Sequence, residues 1–139
     1  MVRTYNPGAA ANPNSARDEL SAIITADHDH PDRLTLTSLT PADGGGLSSP
    51  RVAQSAILAD PELARSITLL NANGSKVQFG PMTPAVLDGG LVWARSLIVT
   101  GSGAAAAPRL QSVAAVSNGV VGSGPTTVTA VDAAIRASR

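Results

Sequence analysis

The sequence predicts a mainly β fold of the α+β kind: a small β-rich domain, sandwich- or barrel-like, with two or three short helices and an extended N-terminal arm. Three observations predict it. The stretch Lys76–Thr100 holds the densest run of β-branched residues together with the only Phe and the only Trp, and Pro and Gly divide it into two strand-sized pieces. Leu34-Thr35-Leu36-Thr37 alternates with period two, as a half-buried strand does. Asn-Gly dipeptides and Gly-Ser-Gly triplets separate the other apolar runs and mark turns.

Residues 1–14 contain Pro7, Pro13, Gly8 and three Asn, a composition that resists helix and strand and predicts an extended arm. Residues 15–139 then form one domain. Ser15 can cap a first helix near 15–26, with Asp18 and Glu19 in its first turn and Leu20, Ile23 and Ile24 on one stripe. Asp27–Asp32 is a polar turn, Leu34–Thr40 a strand, and Pro41–Pro50 a loop with three consecutive Gly. Ser49-Pro50 and Asp60-Pro61-Glu62 each set Pro behind a capping side chain, so two short helices occupy about residues 50–66. Asn73-Gly74 reads as the turn of a β-hairpin between Ile67–Leu70 and Lys76–Phe79. Arg109–Val121 is a strand interrupted by an Asn118-Gly119 turn, and the segment from Thr127 ends the chain as a strand to Val131 or as a helix from Asp132.

Composition limits the function. The 139 residues suffice for one core, but much of the 43% apolar fraction is Ala, which buries little area. With three aromatic residues in all, such a core gains from neighbouring subunits or a scaffold. Formal net charge is zero and the basic residues are scattered, which argues against direct nucleic-acid binding. The absence of Cys excludes disulfides, thiolate metal sites and Cys nucleophiles. The N-terminus lacks the apolar core of a secretory signal, and no apolar run reaches the length of a membrane span, so a soluble protein is expected.

No motif carries catalysis. Asp27-His28-Asp29-His30 with Asp32 offers metal-binding groups, but neighbours on an extended chain point alternately and no distant His or Cys completes a site. A solvated turn explains the run better. No G-x-S-x-G elbow, phosphate loop or dinucleotide fingerprint is present. Arg95 reads as an exposed side chain on a half-buried strand, and Trp93 as a core anchor. No cofactor, metal or enzymatic activity is expected.

Met82-Thr83-Pro84-Ala85-Val86-Leu87-Asp88 followed by Leu91-Val92-Trp93 resembles the head-decoration proteins of lambda-like tailed phages, which carry a similar Met-Thr-Pro-x-x-Leu-Asp run before a Leu-Val-x-Trp strand. The arm around Thr4-Tyr5-Asn6-Pro7 is loosely similar to the arm those proteins lay on the capsid. The resemblance implies a non-enzymatic virion protein on the capsid exterior, bound to the major capsid protein, oligomeric and by analogy trimeric. Tyr5 and Pro7 would serve the arm; Phe79, Met82, Leu87 and Trp93 would form the core or subunit interface. The long segment of about residues 15–75 before the motif departs from that family's pattern. Alternatives are another virion part (head fibre, neck or tail), a protein- or carbohydrate-binding module and, last, an enzyme built on Asp27–Asp32.

Overall fold

The computed structural model describes residues 2–5, 19–20, 22–26, 29–30, 32–38, 47–87, 90–103 and 106–139, with the side chains of residues 2–5 and 19 left aside. Among the described residues it is mainly β, with antiparallel sheets and three helices. The chain forms two compact units, Met1–Val52 and Ala53–Arg139.

The first unit holds strands β1 (Val2–Tyr5), β2 (Glu19–Leu20), β3 (Ala22–Ala26), β4 (Leu34–Ser38) and β5 (Leu47–Ser48). They make a three-stranded antiparallel sheet in the order β1-β3-β4 and a short β2-β5 pair. Two expectations change here. In place of a helix near 15–26, residues 19–20 and 22–26 are strands. Ile23, Ile24 and Thr25 are consecutive β-branched residues, and the pairing they find on both sides outweighs the helical spacing of Leu20, Ile23 and Ile24. The start of the arm is a strand as well, since Val2–Tyr5 pair with Thr25–Ala22. The remainder of the expected arm, including Pro7, lies outside the described residues. β4 is present where the Leu/Thr alternation places it, but it is an edge strand exposed along its whole length rather than half-buried.

The second unit begins inside helix α1 (Pro50–Ala59), followed by α2 (Pro61–Ala72). Both start on the expected Pro. The Asp60 side chain accepts the Leu63 N–H at 2.9 Å, and Ser49 Oγ accepts the Val52 N–H at 3.4 Å. Ala53, Ile57 and Leu63 turn inward. α2 runs past the expected end near 66, so no hairpin forms around Asn73-Gly74. Asn73 instead caps the helix, Gly74 takes φ +77°, and the Ser75 N–H reaches the Leu70 carbonyl at 3.2 Å. An Asn-Gly pair serves a type I′ turn and a helix C-terminus equally well, because both need a left-handed residue.

The main sheet contains β6 (Lys76–Phe79), β7 (Thr83–Leu87), β8 (Gly90–Thr100), β9 (Arg109–Ser117) and β10 (Val120–Gly124). Its order is β10-β9-β8-β6, and β7 pairs with the first half of β8 beside β6. The long β8 is therefore central and accepts partners on both edges. Asn118 and Gly119, with φ +48° and +79°, make the tight turn between β9 and β10. Helix α3 (Thr127–Ala137) closes the chain. Its Thr126 cap and Thr129 bond each other reciprocally: Thr129 N–H to Thr126 Oγ1 at 3.3 Å, Thr126 N–H to Thr129 Oγ1 at 3.1 Å. The β-branched residues Thr127, Val128, Thr129 and Val131 favour a strand locally, but this cap and the packing of Ala130 and Ala134 decide for helix.

One face of the sheet carries α3. Val92, Val113 and Ala115 bury Ala130 and Ala134 against it, with Ala94, Val131 and Ile135 at the rim. Gly122 makes that contact possible: a Cβ there would stand 2.6 Å from the Ala130 carbonyl oxygen and collide with the Ala134 nitrogen. The register puts Leu91, Trp93 and Leu97 of β8 with Ala114 and Val116 of β9 on the opposite face, where all five are buried. Burial on both faces explains why Leu91-Val92-Trp93 is an unbroken apolar run.

Candidate functional site

The site to consider is a cleft of about 280 Å³ on the α3 side of the main sheet. α3 lies over β9 and β10 and leaves the β7–β8 part of that face open. Thr83 and Ala85 of β7 form one wall, Ala94 and Ser96 of β8 the floor, and Thr127 and Val131 of α3 the other wall. The antiparallel register accounts for the alignment, because Thr83 stands opposite Ala94 and Ala85 opposite Val92, so all four point to one face. The lining is small and mostly apolar, with three hydroxyls from Thr83, Ser96 and Thr127.

Arg95 also borders the cleft, but its guanidinium is committed to the other face. Phe79 is opposite Leu97, two residues along from Arg95, so Phe79 and Arg95 share that face. The guanidinium sits 4.5 Å from the Phe79 ring centroid and donates through Nε and Nη2 to the Gly80 carbonyl, at 3.2 and 2.9 Å. Burial lowers its pKa from the ordinary arginine value, yet an arginine stays charged at neutral pH. This corrects the expectation of an exposed Arg95: the side chain is half-buried and ties β8 to the β6–β7 connection.

The residues singled out by sequence are dispersed. Trp93 is 2% exposed and belongs to the core. Phe79 is half-buried on the same face as Trp93, and Met82 is half-buried between β6 and β7. Leu87 ends β7 on the opposite face from Trp93 and is 42% exposed. Tyr5 pairs with Ala22 through β1. Of the Asp27–Asp32 run, Asp27, His28 and Pro31 lie outside the described residues; Asp29 and His30 are exposed, and no group of three metal-binding side chains occurs among the described residues. The cleft itself was missed, because Ala, Ser and Thr at the relevant positions carry no signal until the register aligns them.

The cleft can accept a small apolar group and offer it hydroxyl hydrogen bonds. Its lining side chains, among the described residues, include no His, Asp, Glu, Lys or Cys. Among the described residues, no helix is long and apolar enough to cross a membrane.

Comparison with known proteins decides the resemblance. A UPF0182 protein of Mycobacterium bovis (strain BCG / Pasteur 1173P2) is 33% identical over 115 residues, covering 79% of this chain and 11% of the relative. A UPF0182 protein of Mycobacterium tuberculosis (strain ATCC 25618 / H37Rv) gives the same figures. One from Streptomyces coelicolor is 32% identical over 108 residues, 73% of this chain and 10% of the relative. These relatives are bacterial UPF0182 proteins. The chain spans about a tenth of their length. Their name states no activity, substrate or partner. No family model matches the chain, and no solved structure does.

The likeness to phage decoration proteins is thereby overturned. It rested on Met82–Asp88 and Leu91–Trp93; Thr83–Leu87 and Leu91–Trp93 lie in the antiparallel strands β7 and β8, and the apolar run Leu91–Trp93 follows from two-sided burial. The virion role, the capsid exterior location, the major capsid protein as partner and the trimer argued by analogy fall with it, as do the head fibre, neck and tail alternatives. The assignment of Tyr5 and Pro7 to a capsid-binding arm loses its basis.

Proposed function

We propose that this chain is a non-enzymatic packing module, equivalent to one segment of a UPF0182 protein, whose work is to fold and to hold neighbouring polypeptide. The observation that carries this reading is the asymmetry of coverage: most of this chain matches a small part of each relative. A segment that accounts for a tenth of a long protein contributes to a larger structure, and a two-sided sheet with a helix on one face is a self-sufficient building block for it. The chemistry of the cleft favours the same reading, since small apolar walls and hydroxyls hold a group in place without transferring a proton or a bond.

The test is a segment exchange. The matching segment of the Mycobacterium tuberculosis relative is replaced with this chain, and accumulation and protease resistance of the chimera are measured. The reading predicts a chimera that accumulates and resists protease like its parent. Degradation of the chimera, with both parents folded, would overturn the equivalence. Hydrolysis of any ester or phosphoester by the purified chain that disappears in Ser96→Ala or Thr127→Ala would overturn the non-enzymatic part.

A further inference from the structure

The cleft beside α3 has a polar end and an apolar end, and the strand register fixes which is which. Gly124 stands opposite Val113, and Val113 opposite Ser96. One row along, Gly122, Ala115 and Ala94 align in the same way, and Val92 lies one row further. Helix α3 runs back over these rows, because Thr129 packs on Gly124 while Ala130 and Ala134 pack on Gly122. Thr127, at the start of α3, therefore lies at the Ser96 end, and Val131, one turn on, lies toward Ala94 and Val92. Strand β7 follows the same direction, with Thr83 opposite Ala94 and Ala85 opposite Val92. The hydroxyls of Ser96 and Thr127 thus mark one end, with Thr83 next to them, and Ala85, Val92 and Val131 form the other.

Charge and size narrow what fits. Among the described residues that line the cleft, only Arg95 is ionisable, and its guanidinium is engaged by the Gly80 carbonyl and the Phe79 ring on the other face. A charged head group would enter a site without a counter-charge, which is costly, whereas a neutral head exchanges its hydrogen bonds with water for bonds to the hydroxyls. From Ser96 to Val92 the floor measures about 13 Å at the rise of a β-strand. The volume of about 280 Å³ compares with the roughly 150 Å³ that holds one benzene molecule, so the cleft takes about ten non-hydrogen atoms.

We propose that this cleft binds a neutral aliphatic chain of about eight carbons carrying one hydrogen-bonding head group. The chain lies along β8, its head between Ser96 and Thr127 and its methyl end between Ala85 and Val131. All of these residues belong to the second unit, so the site does not depend on the packing role proposed above.

The test titrates the full chain with 1-octanol and follows the amide nitrogen and proton shifts. Saturable shifts should be confined to β7, Val92–Ser96 of β8 and the first half of α3. From 1-butanol through 1-hexanol to 1-octanol, affinity should rise about threefold per methylene and level off by 1-decanol, where the chain outgrows the cleft. Octanoate, of equal length but charged, should bind at least about tenfold more weakly. Ala85→Leu fills the apolar end from an exposed wall position and should abolish the shifts with circular dichroism retained. Ser96→Ala should weaken 1-octanol binding about fivefold through loss of one hydrogen bond. No saturable shift from 1-octanol, shifts centred elsewhere, or affinity that keeps rising past 1-decanol would overturn the site. Octanoate binding as tightly as 1-octanol would overturn the neutral head group.

Discussion

Helix α3 brings its backbone against β10 at Gly122, whereas β4 leaves two leucines mostly exposed. At the first place Gly122 lets helix backbone rest on strand backbone, and Ala130 and Ala134 are wholly buried. At the second, Leu34 and Leu36 have far more area to bury and bury little of it. Side-chain size alone thus does not predict burial in this chain. What matters is whether a facing layer exists, and small residues earn their place by letting one approach. The same contrast separates the two regions: the α3 contact is closed at Gly122, Ala130 and Ala134, and β4 leaves its apolar side chains exposed.

Substitutions break or sharpen this comparison in a graded way. Trp93→Ala empties the most voluminous buried site of the main sheet and should cost about 3–5 kcal/mol in urea unfolding, enough to unfold much of the second unit. Gly122→Ala adds only one methyl, yet it forces α3 off the sheet and should cost about 3 kcal/mol by the same measurement. The equal-sized change Gly103→Ala, where a Cβ meets nothing within 4 Å, should cost a small fraction of that. If the two glycine changes cost the same, the close approach of α3 is not what Gly122 provides.

Smaller effects follow at the cap and the tie. Thr126→Ala removes the acceptor for the Thr129 N–H and should lower stability by about 1 kcal/mol, with loss of amide exchange protection confined to the first turn of α3. Arg95→Lys keeps the charge but loses the two-pronged donation to Gly80 and the guanidinium over the Phe79 ring, for about 1 kcal/mol. At the low end, Leu36→Thr should change the stability of the isolated chain by less than about 0.5 kcal/mol, because so exposed a side chain has little burial to lose. A large cost there would mean that β4 is already covered in the folded chain.

Much of the fold was legible in residue order. Pro50 and Pro61 behind Ser49 and Asp60 marked both helix starts, Asn118-Gly119 marked its turn, and the β-branched residues of Lys76–Thr100 marked the sheet. The errors fall where a local signal has two uses. Asn73-Gly74 suits a hairpin or a helix end, and Ile23-Ile24 suits a helix stripe or a strand. Asn73 became a cap because α2 extended to it, and Ile23-Ile24 became strand because β1 and β4 paired on either side. The cleft was not legible, since it depends on which of Thr83, Ala85, Ala94 and Ser96 share a face with α3.

By itself the sequence determined the class of structure, the positions of most turns and the poverty of reactive groups, because turn chemistry, branching at Cβ and composition act within a few residues of their origin. Tertiary structure alone decided that Thr127–Val131, rich in β-branched residues, is helical, that Arg95 turns onto Phe79, and that Gly122, expected to mark a turn, lies in β10 as a contact point for α3. Each of these depends on groups distant in the chain, and their packing energy exceeds the local preference that opposes it.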